Sequence, residues 1–184
     1  MQAAALAKRA MQTQEFAGVD TVYTSLSTRA KETADLLRDV LPGPYVAECD
    51  WCESHPGDAE GVAWEDFEHR FPKRGEKADP FERRIPGGES WAEFFARSGE
   101  RLRRLVHDDD GKQILVVTHG GMIGASFVAL GDVPIGKAYD YTAGTENTSH
   151  TEWVHKGGGW QLVRYNDSAH LALLMHARGD AHEV

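Results

Sequence analysis

Only two cysteines, Cys49 and Cys52, occur in 184 residues, too few for the disulfide framework that stabilises small secreted domains. One C-x-x-C supplies free thiols or half a zinc site, and His55 and His69 do not follow it at a finger spacing, so reduced thiols without a metal are expected. No run approaches the ~18 apolar residues of a membrane span, and no basic-then-apolar segment opens the chain. The expectation is a cytoplasmic protein with no membrane partner. Cationic charge is also scarce. Twenty Lys and Arg stand against 29 Asp and Glu, a net charge of -9, which excludes broad attraction to nucleic acid or an anionic surface. An anionic ligand must therefore be caught by a local group of cations. Internal repeats, low-complexity tracts and linkers are absent too.

With 41% hydrophobic residues, residues 1–184 are expected to form one domain with one good-sized core. Ala3, Leu6, Ala7, Ala10 and Met11 fall on one stripe at helical spacing, so the chain opens inside an amphipathic helix. Nothing precedes that helix to cover its stripe. Val19–Ser25 reads as a strand. Ser27 and Thr28 cap a second helix with Ala30, Ala34, Leu37 and Leu41 inward, and Tyr45–Glu48 reads as another strand. Residues 50–86 form a polar, irregular excursion of the size that covers a site, with Trp64, Phe67 and Phe71 on a short helix. Ser90 and Glu93 make a capping box for the strongest helix, and Ile114–Val117 reads as a strand buried on both faces of a parallel sheet. A helix spans about 122–130. Thr148–Val154 and Trp160–Tyr165 form a hairpin at a sheet edge, and a last helical stretch follows Leu171. Strands alternating with helices imply an α/β fold, a three-layer sandwich with a mostly parallel sheet.

In such sheets ligands sit outside the carboxyl ends of the strands, where helix N-termini hold anions. His119 occupies that point after the apolar strand, with Gly120 and Gly121 allowing close backbone approach. Arg29 falls in the first turn of its helix, where the helix dipole disfavours a cation by ~0.3–1 kcal/mol unless an anion binds there. The bland alternative is a local pair with Glu32. An arginine fork and an imidazole converging on one crevice suggest phosphate recognition. Glu53 is the acid candidate. Arg83 and Arg84 could reach a ligand from the excursion, although a solvated basic pair is the plainer reading. Trp64, Phe67, Phe71 and Phe81 could line an apolar substrate pocket, or simply pack as core.

These segments, in this order, resemble the histidine phosphatase superfamily in its phosphoglycerate mutase-like branch. Val22-Tyr23-Thr24-Ser25-Leu26-Ser27-Thr28-Arg29-Ala30 resembles its phosphate-binding arginine segment, and Glu53-x-x-x-Gly57-x-x-Glu60-Gly61 its acid segment. Gly87-Gly88-Glu89-Ser90, Val117-Thr118-His119-Gly120-Gly121 and Asn166-Asp167-x-x-His170-Leu171 resemble three further signatures. The resemblance implies hydrolysis of phosphate monoesters through a phosphohistidine. A nucleophilic histidine attacks the phosphoryl group, cationic groups stabilise its oxygens, and a carboxylic acid protonates the leaving alcohol. It also implies that Arg29 clamps phosphate, His119 is the second histidine beside Gly120, Glu53 is the proton donor, and neither metal nor cofactor is needed.

One family segment is missing. The Arg-His-Gly that carries the nucleophile belongs at the end of a strand upstream of the first helix, and no Arg-His-Gly occurs in the 184 residues. The expectation is a chain that begins inside a longer protein, with the first strand absent and little turnover of its own. The alternatives are a non-catalytic module that binds a small phosphorylated ligand, with its open sheet paired to a partner or a second copy as a homodimer, and, more weakly, a mutase.

Overall fold

The computed structural model describes residues 1–41, 43–71, 79–138 and 144–172. Three short β-branched runs become strands, β1 (Thr21–Thr24), β2 (Tyr45–Ala47) and β3 (Ile114–Val117), paired in parallel in the order β2-β1-β3. Alternation along the strands then sorts side chains to two faces. On one face Val22, Leu115 and Val117 meet α1 (Gln2–Thr13) and α2 (Thr28–Leu37) through Leu6, Ala10 and Leu37, with Phe16 of the turn after α1 in the same cluster. On the other, Tyr23 and Val116 meet α4 (Trp91–Asp108) and α5 (Gly120–Gly131) through Phe94, Phe95, Met122 and Ala125. This is the expected three-layer α/β sandwich. The short α3 (Trp64–Arg70) belongs to the excursion, and the capping box is present: the Ser90 hydroxyl accepts from Glu93 N–H at 3.2 Å while Ser90 N–H donates to the Glu93 carboxylate at 2.9 Å.

Three expectations need correction. The first helix is not an orphan, because Leu6 and Ala10 are buried against Phe16, Val22, Leu37 and Leu41 of this same chain. Its stripe is covered by α2 and β1, and only Met11, 64% exposed, is left outside. Strand β3 is not buried on both faces in full. All four of its residues are half-buried, since among the described residues it pairs with β1 alone and forms the edge of the sheet. Lastly, the hairpin of β4 (His150–Lys156) and β5 (Gly159–Asp167) is a separate two-stranded ladder. Gly157 and Gly158 make its turn, both with the positive φ that glycine tolerates.

The hairpin is anchored in two places. Trp153 and Tyr165 pack edge-on to Phe127 of α5 with centroids 5.3 Å away, and Trp153 Nε1–H donates to Ser126 Oγ at 3.0 Å. Asp167 accepts from Arg9 of α1 at 2.7 Å, and Arg9 and Arg164 share Glu15. Those ion pairs hold the Asp167 carboxyl well below the usual carboxylate range, the Arg9 hydrogen bond being the largest cause. The helical stretch expected after Leu171 falls mostly on 173–184, outside the described residues; a 3₁₀ turn spans Ala169–Leu171.

Candidate active site

Two strands and two helix N-termini meet at one end of the sheet. Ser25 follows β1 and its N–H donates to the Val117 carbonyl at 3.1 Å, so the ends of β1 and β3 lie side by side. Arg29 stands in the first turn of α2, and His119 is the N-cap of α5 with extended backbone. The two residues expected to share a crevice do so: an Arg29 Nη donates to His119 Nδ1 at 2.9 Å. Among the described residues no carboxylate pairs with Arg29, so the local Glu32 pair is not formed.

That contact fixes the imidazole tautomer. A guanidinium can only donate, so Nδ1 carries the lone pair and the ring proton sits on Nε2. Nε2 lies 2.8 Å from Ser25 Oγ, which accepts its hydrogen, and 3.1 Å from Ser27 Oγ. His119 is 8% exposed. Burial first, and the Arg29 charge second, push it down to about 4. Neutral imidazole is therefore the resting form.

The depressed histidine has a consequence for stability. Between about pH 6.5 and 4 the unfolded chain takes up a proton at this position that the folded chain refuses, so stability falls as pH drops through that window. At about 1.4 kcal/mol per pH unit the expected loss is on the order of 3 kcal/mol. His150 and His170, both lowered by burial above all, add to the same slope. Denaturant unfolding at pH 7 and pH 4.5 checks this, with His119→Asn expected to show a shallower pH dependence than wild type; equal slopes would refute it.

Glu53 reaches the same helix terminus from the excursion. One carboxylate oxygen accepts Gly121 N–H at 3.0 Å and the other accepts Ser54 N–H at 2.9 Å. A Cβ at residue 121 would lie 2.1 Å from Glu53 Oε1, so the second glycine of the pair is what lets the carboxylate in. Gly120 opens α5, where N–H groups have no intrahelical partner.

Several residues around the site were not singled out by the sequence. Ser25 stands inside the arginine segment without an assigned part, and Ser27, the expected cap of α2, is its N-cap residue but makes no side-chain cap hydrogen bond and lies against His119 Nε2 instead. Arg97 of α4 grips Glu89 with two hydrogen bonds of 2.9 Å and reaches the Asp50 and Glu53 carbonyls at 3.4 Å. Glu89 in turn accepts His55 N–H at 3.0 Å. Burial works to raise Glu89, but Arg97 and the His55 N–H outweigh it and hold the carboxyl below its usual range. Thr118 Oγ1 donates to the Trp51 carbonyl at 2.6 Å. Residues 50–53 are thus tied to Arg97, Thr118 and Gly121 by hydrogen bonds.

Later in the excursion the Pro86 carbonyl accepts Asp58 N–H at 3.0 Å and the Pro80 carbonyl accepts Ala92 N–H at 2.9 Å. Arg83 is ion-paired with Glu93 on the surface, Phe81 is 71% exposed, and residues 72–78 lie outside those described. Among the described residues no cluster of His, Cys, Asp and Glu could hold a metal ion, and no helix is long and apolar enough to cross a membrane.

The arrangement has relatives. A family model, the histidine phosphatase superfamily (branch 1), matches residues 1–168. The chain belongs to that superfamily. It is 28% identical over 156 residues to a metal-independent phosphoserine phosphatase of Arabidopsis thaliana, matching 82% of this chain and 63% of the plant protein. It therefore spans less than two thirds of that relative. Among solved structures, Bacillus stearothermophilus YhfR superposes with a TM-score of 0.75 at 26% identity, over 92% of this chain and 83% of that one. A mycobacterial glucosyl-3-phosphoglycerate phosphatase, in complex with inorganic phosphate, superposes with a TM-score of 0.71 at 25% identity, over 93% and 86% of the two chains.

Proposed function

We propose that this superfamily member is built to hydrolyse small phosphate monoesters through a phosphohistidine, and that the nucleophilic histidine is not among these 184 residues. The observation that carries the reading is the meeting of Arg29 and neutral His119 at two helix N-termini, with Glu53 at the same terminus of α5. A cation without a carboxylate partner at a helix N-terminus is unfavourable in an empty site and favourable beside a bound anion. Arg29 would grip the phosphoryl oxygens, His119 and the Gly120 N–H would share their charge, and Glu53 would protonate the leaving alcohol. His119 would take a hydrogen-bond donor's part from Nε2, which already carries the proton. Neither a metal nor a cofactor enters this scheme, and the part of the excursion beyond Glu60 would cover the bound ester. The compartment we propose is the cytoplasm.

A non-catalytic phosphate-binding module is the second reading, and one observation favours it. Among the described residues no other histidine touches His119 or Arg29. Both readings require binding, so binding is tested first. The chain is expected to take up inorganic phosphate or phosphoserine saturably in calorimetric titrations. Arg29→Ala removes a charge-assisted contact worth about 1.5–3 kcal/mol, hence at least about tenfold in affinity. Affinity equal to that of wild type in Arg29→Ala would overturn the site assignment.

A further inference from the structure

Cys49 opens a 3₁₀ turn, Cys49–Trp51, that is closed by Cys52 N–H donating to the Cys49 carbonyl at 2.8 Å. Side chains three residues apart in such a turn eclipse one another, and their Cα atoms lie about 6 Å apart. That is inside the 4.4–6.8 Å range of disulfide-bonded cysteines. Both thiols are free, Cys49 exposed and Cys52 partly exposed, and Cys49 Sγ lies 3.8 Å from His55 Nε2.

The two sulfurs have different surroundings. Cys52 Sγ receives the Ser25 hydroxyl at 3.4 Å. Burial works against its thiolate, but the Ser25 hydroxyl, the nearby Leu26 N–H and Cys49 thiol, and the Arg97 charge outweigh it and bring the thiol below its ordinary value. Cys49 is shifted upward, by burial first and by Cys52 second. Cys52 is thus the thiolate former and Cys49 the exposed neighbour positioned to attack it. Ser25 Oγ, which contacts Cys52, is also 2.8 Å from His119 Nε2. The dithiol is one hydrogen-bonded residue away from the imidazole.

We propose that Cys49 and Cys52 form an oxidation site for peroxides, in which Cys52 is oxidised first and Cys49 resolves it to a disulfide that disturbs the Ser25–His119 contact. In the first step the Cys52 thiolate attacks a peroxide oxygen; an S–O bond forms, the O–O bond breaks, and the leaving hydroxide takes a proton to become water. In the second the Cys49 sulfur attacks the Cys52 sulfenic acid; the S–S bond forms, the S–O bond breaks, and hydroxide leaves with the Cys49 proton as a second water. Two thiols are oxidised by two electrons and one peroxide is reduced to two waters. The disulfide sulfur is a poorer acceptor than the thiolate, so Ser25 loses the partner that orients its hydroxyl toward His119.

The full chain treated with stoichiometric hydrogen peroxide should lose 2 Da, lose both alkylatable thiols, and yield a joined Cys49–Cys52 peptide. Cys49→Ser should stop at a Cys52 sulfenic acid that dimedone captures. Cys52→Ser should react at least about tenfold more slowly, as an ordinary exposed thiol does. The His119 ring signals in NMR should move when wild type is oxidised and return on reduction, a readout independent of phosphate binding. Thiols that stay alkylatable, or equal rates in the two variants, would overturn the oxidation site. A disulfide that leaves the His119 signals in place would overturn its link to the imidazole.

Discussion

Joining a β-strand that ends in Arg-His-Gly ahead of residue 1 is expected to raise turnover of phosphate monoesters by on the order of a millionfold over the 184-residue chain, the size of effect that follows removal of a nucleophile elsewhere. The geometry gives such a strand a place. Among the described residues β3 is paired on one side only, by β1, and its half-buried Ile114, Leu115, Val116 and Val117 present an apolar edge. A strand laid parallel against that edge would end beside Thr118 and His119. Its terminal arginine and histidine would therefore face the crevice where Arg29 already stands. Steady-state hydrolysis of p-nitrophenyl phosphate and phosphoserine checks this, and trapping of a phosphoenzyme identifies the intermediate. The same extension carrying alanine in place of its histidine should remain at the level of the unextended chain. An extended chain that folds and binds phosphate but hydrolyses neither ester would leave the binding module as the better account.

How much of this was legible beforehand depended on whether a signal is local. Helix caps, turn glycines and the period of apolar residues are local, so the capping box at Ser90, the Gly157-Gly158 hairpin turn and the inward faces of α2 and α4 could be read directly. His119 and Arg29 come together because strand-end positions in an α/β sheet converge, which is a rule of topology rather than of composition. What failed was lateral placement. Periodicity says that Leu6 and Ala10 need a neighbour and not which one, and the neighbours turned out to be Leu37 and Val22. An apolar run such as Ile114–Val117 likewise does not say whether one edge or both are paired. Ser25, Ser27 and Arg97 had no periodic or charge signature, because each acts by contact with residues far away in sequence.

The excursion shows the same limit. Its composition, polar and broken by proline and glycine, suggests one loop, yet burial differs on the two sides of Glu60 among its described residues. Before that point Trp51 is wholly buried, the Arg97–Glu89 pair grips the backbone, and Glu53 is held by Gly121. Beyond it the aromatic Phe81 and the Arg83–Glu93 pair lie in solvent. Under the proposed function Glu53 is the proton donor, and a donor held at fixed geometry is what protonation of a leaving oxygen requires.

The part before Glu60 is expected to fail when Trp51 is truncated. Trp51 is fully buried, its ring lies 5.7 Å from that of Tyr23, and the Arg101 guanidinium sits 4.6 Å over it while pairing with Glu48 at 3.0 Å. The side chain therefore joins β1, α4 and the turn that carries both cysteines and Glu53. Trp51→Ala removes that ring from a site already packed, and such losses run to about 3–5 kcal/mol. Denaturant midpoints measured at pH 7 check the magnitude. Trp51→Phe separates packing from polarity. Trp51 Nε1–H is buried without a hydrogen-bond partner among the described residues, so removing it relieves a desolvated donor worth about 1–3 kcal/mol. The smaller ring leaves a cavity whose cost is on the order of 1 kcal/mol. The two contributions oppose each other, so Trp51→Phe should lie between wild-type stability and about 2 kcal/mol above it, and should keep phosphate affinity. If phenylalanine destabilises the chain as much as alanine does, the indole nitrogen has a partner in solution and the turn is held by that bond rather than by the ring.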